Sequence, residues 1–328
     1  MARSAYYIRR EGRGVIGMSK KTVLATQGAA GEVTNSQAQQ PVEKRESIWK
    51  DVLDGIVSNK AALVSAIFIL LLALIAIVTK LVPGILPYDP YEQNLAESVQ
   101  GPSAAHWFGT DIQGRDIFSR VLVGTQITLV VGLAAVAISL TVGVLLGAIA
   151  GYKGGKWDTV IMRIMDMMLA IPSILLAIAI MAALGQGIEK AVVAIGLVAI
   201  PEYARIVRSE ILAIKENDYV AAARVIGDSN FAIVFRHVLP NALPSIIVRA
   251  TLGISSAILD CAALGFLGLG VQPPDAEWGD MLGRGRNELF RAPWLMIFPG
   301  LAITLTVLAF NLLGDGIRDG LDPKSRKR

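Results

Sequence analysis

The sequence predicts an all-α membrane protein with six transmembrane helices. Of its 328 residues 53% are hydrophobic, and the mean hydropathy is +0.54. Only 18% of the residues are charged, compared with roughly 25% in soluble domains. The apolar residues are concentrated in blocks long enough for a helix to cross a bilayer, which takes about 20 residues. Composition therefore favours an integral membrane protein over a soluble or nucleic-acid-binding domain.

The N-terminal part of the chain begins with a polar segment. Residues 1–48 are rich in Gly, Gln, Ser and Thr and lack periodicity, which predicts a disordered cytoplasmic tail. Residues 49–60 predict a short amphipathic lead-in helix. An apolar run then predicts the first transmembrane helix over 61–82, and an extracytoplasmic loop follows over 83–120.

The other five predicted helices form a core over 121–317. Hydrophobic runs place them at about 121–152, 162–184, 188–207, 243–269 and 294–313. The fourth is the weakest, because Pro201 and Glu202 interrupt it. A long loop over 208–242 separates the fourth helix from the fifth, and residues 318–328 predict a cytoplasmic tail.

Lysine and arginine determine the predicted orientation, because they accumulate on the cytoplasmic side of membrane proteins. They cluster before the first span, between the second and third spans, in the long loop and in the C-terminal tail. With six spans, all of these segments lie on one side of the membrane. Both termini and the loop over 208–242 are therefore predicted to be cytoplasmic.

The long loop predicts two short helices separated by a turn. Asn217 and Asp218 can cap a helix that begins near Tyr219, and three alanines at 221–223 favour its continuation. Gly227 can end this helix in the left-handed conformation. A helix of this kind, smooth on its surface, suits docking into a groove on a partner protein.

The second short helix of the loop is predicted to begin after Asp228-Ser229, which offers another cap. Four apolar residues then recur with helical spacing, at Phe231, Val234, Phe235 and Val238. Pro240 and Pro244 predict the end of this helix and the start of the fifth span. An alternative interpretation is an amphipathic loop that lies on the lipid surface.

This loop resembles the EAA loop of ATP-binding-cassette (ABC) importer permeases, which follows the pattern Glu-Ala-Ala, three residues, Gly, nine residues, Ile-x-Leu-Pro. The matching residues are Ala222, Ala223, Gly227, Leu239 and Pro240. Ala221 stands where the Glu is usual, and His237 stands where the Ile is usual. The resemblance implies that the loop couples to an ATPase through Tyr219, Ala221, Ala222, Ala223, Gly227, Phe231, Phe235, Leu239 and Pro240.

Further motifs resemble the C-type permeases of dipeptide and oligopeptide importers. They are His-Trp-Phe-Gly-Thr-Asp at 106–111, Gly-Tyr-Lys-Gly-Gly at 151–155, Phe-Leu-Gly-Leu-Gly at 266–270 and Glu-Trp-Gly at 277–279. The resemblance implies the type I ABC importer permease fold in a bacterial or archaeal cytoplasmic membrane. It also implies four partners: a homologous B-type permease, two ATP-binding subunits and an extracytoplasmic peptide-binding protein.

The chain itself is predicted to be a non-catalytic subunit that forms half of a translocation pathway. It lacks a Gly-x4-Gly-Lys-Ser/Thr motif, so ATP and magnesium are expected on the partner ATP-binding subunits. We predict no cofactor, metal or catalytic residues in this chain. Alternatives remain open: import of nickel complexes, glutathione or sugars, a proton-coupled carrier that uses Asp260, or a scaffold that transports nothing. Also open are the peptide length, the identity of the partners and a start at Met1 or Met18.

Two features within the predicted spans stand out. Asp260 lies in the middle of the fifth span, where an ionisable group usually faces a bundle interior or water. It is a candidate for lining the pathway and meeting a peptide amino terminus; the alternative is an internal hydrogen bond to a neighbouring helix. The family commonly has its acid at the position of Cys261, about 100° around the helix. In the second span, small residues predict a packing seam within the subunit or against the partner permease, at Gly143, Gly147 and Gly151.

Overall fold

The computed structural model describes residues 48–322, which are built from helices without a named strand. Residues 1–47 of the tail predicted over 1–48, and the last six residues of the chain, lie outside this range. The helices are α1 (Ile48–Ser58), α2 (Lys60–Leu81), α3 (Ile117–Lys153), α4 (Gly155–Leu169), α5 (Ser173–Leu184), α6 (Ile188–Ile214), α7 (Asp218–Ile226), α8 (Asn230–Ala232), α9 (Leu239–Phe266), α10 (Trp278–Gly285) and α11 (Trp294–Leu321). Because α11 continues to Leu321, the C-terminal tail begins later than the predicted residue 318.

Most of these helices are suited to a membrane. Within the described residues, four segments are long and apolar enough to cross one: Lys60–Leu81, Ile117–Lys153, Asn230–Phe266 and Trp294–Leu321. The α4–α5 pair adds a fifth if its two halves form one bent span. The 27 residues of α6 would extend about 40 Å, but several charged residues reduce its apolarity. The predicted number of six spans is therefore reached only if the bent α4–α5 pair and α6 are each counted as one span.

The third predicted span is not a single straight helix. Instead of one helix over 162–184, α4 and α5 meet at an angle of 93°. Pro172 explains the break, because it lacks an N–H and disfavours the helical conformation at Ile171. Two arginines of α6 hold α4: Arg205 Nη2 lies 2.5 Å from Asp166 Oδ1, and Arg208 Nη2 lies 2.7 Å from Asp158 Oδ2.

Close packing of α3 against α6 forms the centre of the bundle. A Cβ added to Gly143 would lie 2.5 Å from the Cβ of Tyr203, and one added to Gly147 would lie 2.5 Å from the Ala204 carbonyl oxygen. At Gly151 the added Cβ would lie 3.0 Å from the Arg208 carbonyl oxygen. The glycine seam on α3 therefore faces α6 of the same subunit, the first of the two alternatives for these residues.

A second glycine contact joins α1 to the end of α11. A Cβ on Gly55 would lie 2.5 Å from the Gly316 carbonyl oxygen and 2.5 Å from the Cα of Gly320. The first residues of α2 take part as well, since a Cβ on Gly316 would meet the Cβ of Ala62 at 2.2 Å. The lead-in helix is therefore packed directly on α11, backbone against backbone.

At the end of the bundle opposite the α6–α9 connection, two segments fold together as what we call the outer cap, defined as residues 83–120 and 267–293. Arg120 is buried and donates from Nη1 to the Pro90 carbonyl oxygen at 2.8 Å and, at 3.4 Å, to that of Pro274. The buried Trp278 donates from Nε1 to the Val121 carbonyl oxygen at 2.9 Å. Both halves of the outer cap are thus tied to the first turn of α3.

Glu277 anchors α10 within the outer cap. Its carboxylate caps the helix by accepting hydrogen bonds from the backbone N–H groups of Gly279 and Asp280, each at 2.8 Å. It also lies against α9, where a Cβ on Gly265 would be 2.2 Å from Oε2. Burial raises the pKa of Glu277 to about 7, although the two backbone hydrogen bonds oppose the shift. Near neutral pH this carboxyl group therefore carries a proton for part of the time.

We expect Trp278→Ala to destabilise the protein by about 3–5 kcal/mol, because it removes a buried indole and its hydrogen bond to α3. The measurement is the temperature at which the protein purified in detergent loses its monodisperse elution peak. Trp107→Ala is the matched control, since that side chain belongs to the same cap but is 58% exposed. Equal losses in the two variants would contradict the conclusion that Trp278 ties the cap to α3.

Candidate functional site

The segment that joins α6 to α9 contains the candidate site. The predicted loop over 208–242 is too long, because α6 continues to Ile214 and α9 begins at Leu239. Between them lie α7, a turn at 227–229, α8 and a single π-helical turn over Ile233–Val238. The predicted order of helix, turn and helix is present, but the second helix is organised differently.

The start of α7 agrees with the prediction in position but not in bonding. The helix begins at Asp218, and the Asn217 side chain makes no capping bond to it. Asn217 Nδ2 instead donates to the Ile214 carbonyl oxygen at 2.9 Å, which ties the turn back to the end of α6. Asp218 lies in the first turn of α7, where a negative charge interacts favourably with the helix dipole.

Gly227 ends α7 in the left-handed conformation, with φ of +98° and ψ of +16°. The Gly227 N–H donates to the Arg224 carbonyl oxygen at 3.2 Å, and the Asp228 N–H donates to that of Ala223 at 3.1 Å. An added Cβ would have no neighbour within 4 Å. The backbone conformation at this turn, rather than a lack of space, therefore favours glycine.

The turn is closed on its other side by polar side chains. Ser229 Oγ accepts a hydrogen bond from the Ala232 N–H at 3.2 Å and so caps α8. Asp228 pairs with His237, with 3.1 Å between Oδ2 and Nε2. His237, which stands where the resembling pattern has Ile, thus connects the π-helical turn to the residue after Gly227.

Pro240 does not end the second helix, contrary to the prediction. The helix is continuous over Asn230–Phe266, because the wider π-helical turn precedes the proline and the Leu239 N–H donates to the Val234 carbonyl oxygen. The wider turn also divides the predicted apolar stripe. Phe231 and Phe235 are exposed, with ring centroids 4.3 Å apart, whereas Val238 is buried.

One side of this segment is part of the helical core. Val220 and Ala223 of α7 and Ile233 and Val238 of the π-helical turn pack with Ala148, Val207, Ile211, Ile214, Ala242 and Ile246, which belong to α3, α6 and α9. Two hydrogen bonds secure the segment to the end of α3. Tyr152 Oη donates to Asn230 Oδ1 at 2.9 Å, and Lys215 Nζ donates to the Gly151 carbonyl oxygen at 3.1 Å. The segment is therefore joined to all three of these helices.

The opposite side is exposed and apolar. We call it the docking face and define it as Tyr219, Ala221, Ala222, Val225, Ile226, Phe231 and Phe235. Val225 is 88% exposed, Ile226 is 82% exposed and Phe231 is 71% exposed. Exposed apolar residues grouped in this way mark interaction sites. The docking face is thus suited to a protein partner.

The docking face differs from the predicted set of residues in two respects. Four predicted residues do not line it: Ala223 is buried in the core behind the face, Gly227 forms the turn beside it, and Leu239 and Pro240 lie half-buried at the start of α9. Val225 and Ile226 are its most exposed members, yet they were not predicted. Their exposure could not be predicted from the sequence, because aliphatic residues in a helix are equally consistent with a place in the core.

A cavity of about 310 Å³ lies between α3, α5, α6 and α9. Its charged lining residues are Glu202, Arg249 and Asp260. Arg249 of α9 forms an ion pair with Glu202 of α6. Asp260 makes no hydrogen bond or ion pair within residues 48–322, so the predicted alternative of an internal hydrogen bond is not observed there. The neighbouring Cys261 is buried in the core instead.

No group of three or more His, Cys, Asp or Glu residues suited to a metal ion occurs in the described part of the chain. His106 and His237 lie far apart in the fold, in the outer cap and beside the docking face. His106 Nδ1 is 2.9 Å from Asp116 Oδ1, and both side chains are buried. Both histidines are thus engaged in local pairs with an aspartate.

The family comparisons agree with this geometry. Residues 143–327, more than half of the chain, match the family described as binding-protein-dependent transport system inner membrane component. Residues 47–102 match the N-terminal transmembrane domain of oligopeptide transport permease C. The two matches together include α1 to α11 apart from the first part of α3.

Several curated proteins are similar over most of their length. The dipeptide transport system permease protein of Alkalihalophilus pseudofirmus is 49% identical over 85% of this chain and 91% of its own. For the di/tripeptide transport system permease protein of Pseudomonas aeruginosa the identity is 45%, over 88% and 97%. The glutathione transport system permease protein of Escherichia coli is 50% identical over 80% and 86%.

A solved structure has a similar fold. A chain of the inward-facing MetNI methionine ABC transporter gives a TM-score of 0.53 at 21% identity, covering 63% of this chain and 98% of its own. At this identity the similarity concerns the fold alone. The predicted fold class, an all-α permease of the type I ABC importer kind, is confirmed.

Proposed function

Because the chain belongs to the family of binding-protein-dependent transport system inner membrane components, we propose that it is the C-type permease subunit of an ATP-driven importer of dipeptides or oligopeptides. The match to oligopeptide transport permease C and the two relatives named for dipeptides and di/tripeptides support this cargo. The observation that carries the proposal is the docking face, an exposed apolar surface mounted on helices that also line a cavity.

The docking face receives the ATP-binding subunits on the cytoplasmic side, the side to which the Lys and Arg distribution assigns both termini. When these subunits close on ATP, they move α7 and the turn at Gly227. Because Val220, Ala223, Ile233 and Val238 are packed against α3, α6 and α9, the movement reaches the cavity as one body. Binding drives the change only if the partner favours one of two arrangements of these helices.

In this proposal the chain contributes half of a pathway and no reaction chemistry. A homologous B-type permease supplies the other half, and an extracytoplasmic binding protein delivers cargo to the outer cap. ATP and magnesium remain with the two ATP-binding subunits, since the sequence has no phosphate-binding loop. Asp260 is the pathway candidate in this chain, because it lines the cavity.

Glutathione import is the second candidate cargo, favoured by the 50% identity to a glutathione transport system permease protein. Glutathione and dipeptides share a free amino group and a carboxylate. The permease of either system therefore meets similar charges, and the choice between the two lies mainly with the binding protein. A proton-coupled carrier based on Asp260 is less well supported, because it would leave the docking face without a purpose.

The test is affinity purification of this chain from solubilised native membranes. We expect co-purification of an ATP-binding subunit, a second permease and an extracytoplasmic binding protein. The ligand of that binding protein, measured by calorimetry against dipeptides and glutathione, then identifies the cargo. Recovery of the chain alone, still able to transport with only a proton gradient, would overturn the proposal.

A further inference from the structure

Asp260 is an ionisable side chain within a membrane-spanning helix, and it faces an open cavity. A charge at this depth is costly unless it meets water, an opposite charge or a hydrogen-bonding partner. The cavity of about 310 Å³ is close to the lower end of small-ligand sites, about 300–1,000 Å³. A dipeptide is therefore of suitable size, and a longer peptide would have to pass through in an extended form.

The charges of the lining do not balance. Glu202 and Arg249 neutralise each other across α6 and α9, which leaves the carboxylate of Asp260 without a counter-charge among residues 48–322. The remaining polar lining groups are hydroxyls, on Ser139, Ser173, Tyr203 and Ser256. The hydroxyl of Tyr203 is buried without a hydrogen-bond partner in the described structure. The cavity thus has one free negative charge and several hydroxyl groups.

The position of Asp260 on α9 separates this charge from the core. Cys261, one residue further, is buried among apolar side chains of α3, α5 and α6. Leu259, one residue earlier, is exposed. Asp260 lies between these directions, so the helix presents its carboxylate at the cavity wall, which Leu259 also lines.

We propose that Asp260 binds the cationic amino terminus of the peptide cargo as it crosses the cavity, an inference that rests on the proposed peptide import. An ammonium group has three N–H donors and no acceptor. Asp260 supplies the opposite charge, and the nearby hydroxyls accept the remaining N–H groups. Arg249 does not neutralise Asp260, because it lies about 16 Å away along α9 and is paired with Glu202.

The experiment uses the complete transporter in liposomes with its binding protein and dialanine as cargo, since the amino terminus is the only cation of dialanine. Uptake per ATP hydrolysed is compared in the wild type, Asp260→Asn and Asp260→Glu. We expect uptake per ATP hydrolysed to fall about 10-fold in the Asn variant, because it loses a charge-assisted hydrogen bond. In the Glu variant this ratio should stay within about 2-fold of the wild type. Asp54→Asn, on the exposed side of α1, is the matched control and should have no effect.

Stability distinguishes ligand binding from a structural role. The Asn variant should unfold at the same temperature as the wild type or higher, because no protein partner of Asp260 is lost. Wild-type uptake by the Asn variant, or equal impairment of the Asn and Glu variants, overturns this inference while leaving peptide import intact. If the wild-type complex itself imports no dialanine or other dipeptide, the proposed function fails instead.

Discussion

Gly227→Val will reduce peptide import at least about 10-fold while the protein remains inserted and assembled. Valine at φ of +98° is strained by about 1–3 kcal/mol, because β-branched residues avoid the left-handed region. The turn relieves this strain by changing its backbone, which displaces α7 and the docking face relative to α9. The measurement is binding-protein-dependent uptake alongside ATP hydrolysis, and we expect hydrolysis without import.

Gly227→Asn provides the matched control for conformation. Asparagine tolerates the left-handed region better than other non-glycine residues, and an added Cβ at this position meets no atom within 4 Å. We therefore expect the Asn variant to keep most of its transport activity. Normal import by the Val variant, or equal losses in both variants, would show that the left-handed turn has no part in coupling.

The double variant Val225→Asp/Ile226→Asp will release the ATP-binding subunits from the membrane complex. These side chains are 88% and 82% exposed in this subunit and form the most prominent part of the docking face. Central apolar contacts in protein interfaces are often worth about 2–4 kcal/mol each. Two charges at this point should therefore weaken binding more than about 100-fold. The measurement is the amount of ATP-binding subunit retained after affinity purification.

Phe290→Asp is the control for this experiment. Phe290 is also fully exposed, but it lies in the outer cap, beyond the opposite end of α9. Its replacement should leave the ATP-binding subunits attached. Retention of these subunits by the double variant would mean that the docking face binds something else, such as the lipid surface that the sequence left as an alternative.

Features that depend on local sequence could be predicted well. The apolar runs indicated α2, α3 and the start of α11 to within a few residues, because length and hydropathy determine such helices. The end of α11 lies eight residues beyond the predicted span, where its last turns are more polar. The left-handed end of α7 at Gly227 and the cap at Ser229 also follow from neighbouring residues. In each case the interactions that decide the structure lie within a few positions of the chain.

Features that depend on packing or on an unusual helical turn could not be predicted. The 93° bend between α4 and α5 has a local cause in Pro172, but the apolar residues on both sides of that proline concealed it. The π-helical turn before Pro240 kept one helix where two were predicted. Exposure of Val225 and Ile226 depends on which side of α7 the core covers, and that is decided by contacts with α3 and α6.

Contacts between distant segments were equally hidden. Gly55 packs against the backbone atoms of Gly316 and Gly320, so no pattern of side chains in the sequence predicts the contact. Arg120 is fully buried because carbonyl groups of two separate loops converge on it. From the sequence alone, an arginine at the end of a span is more simply explained as an interfacial charge.

The continuous helix over Asn230–Phe266 connects the docking face to the outer cap as a single long element. Its 37 residues extend about 55 Å, with Phe231 and Phe235 near one end and Gly265 against Glu277 at the other. If it pivots at the π-helical turn, the arm on the docking side is about 13 Å long and the arm through the membrane about 42 Å. A shift of a given size at the docking face is then multiplied about threefold at the outer cap. In the proposed transporter, small movements of the ATP-binding subunits would thus become large displacements at the outer cap, to which the binding protein delivers cargo.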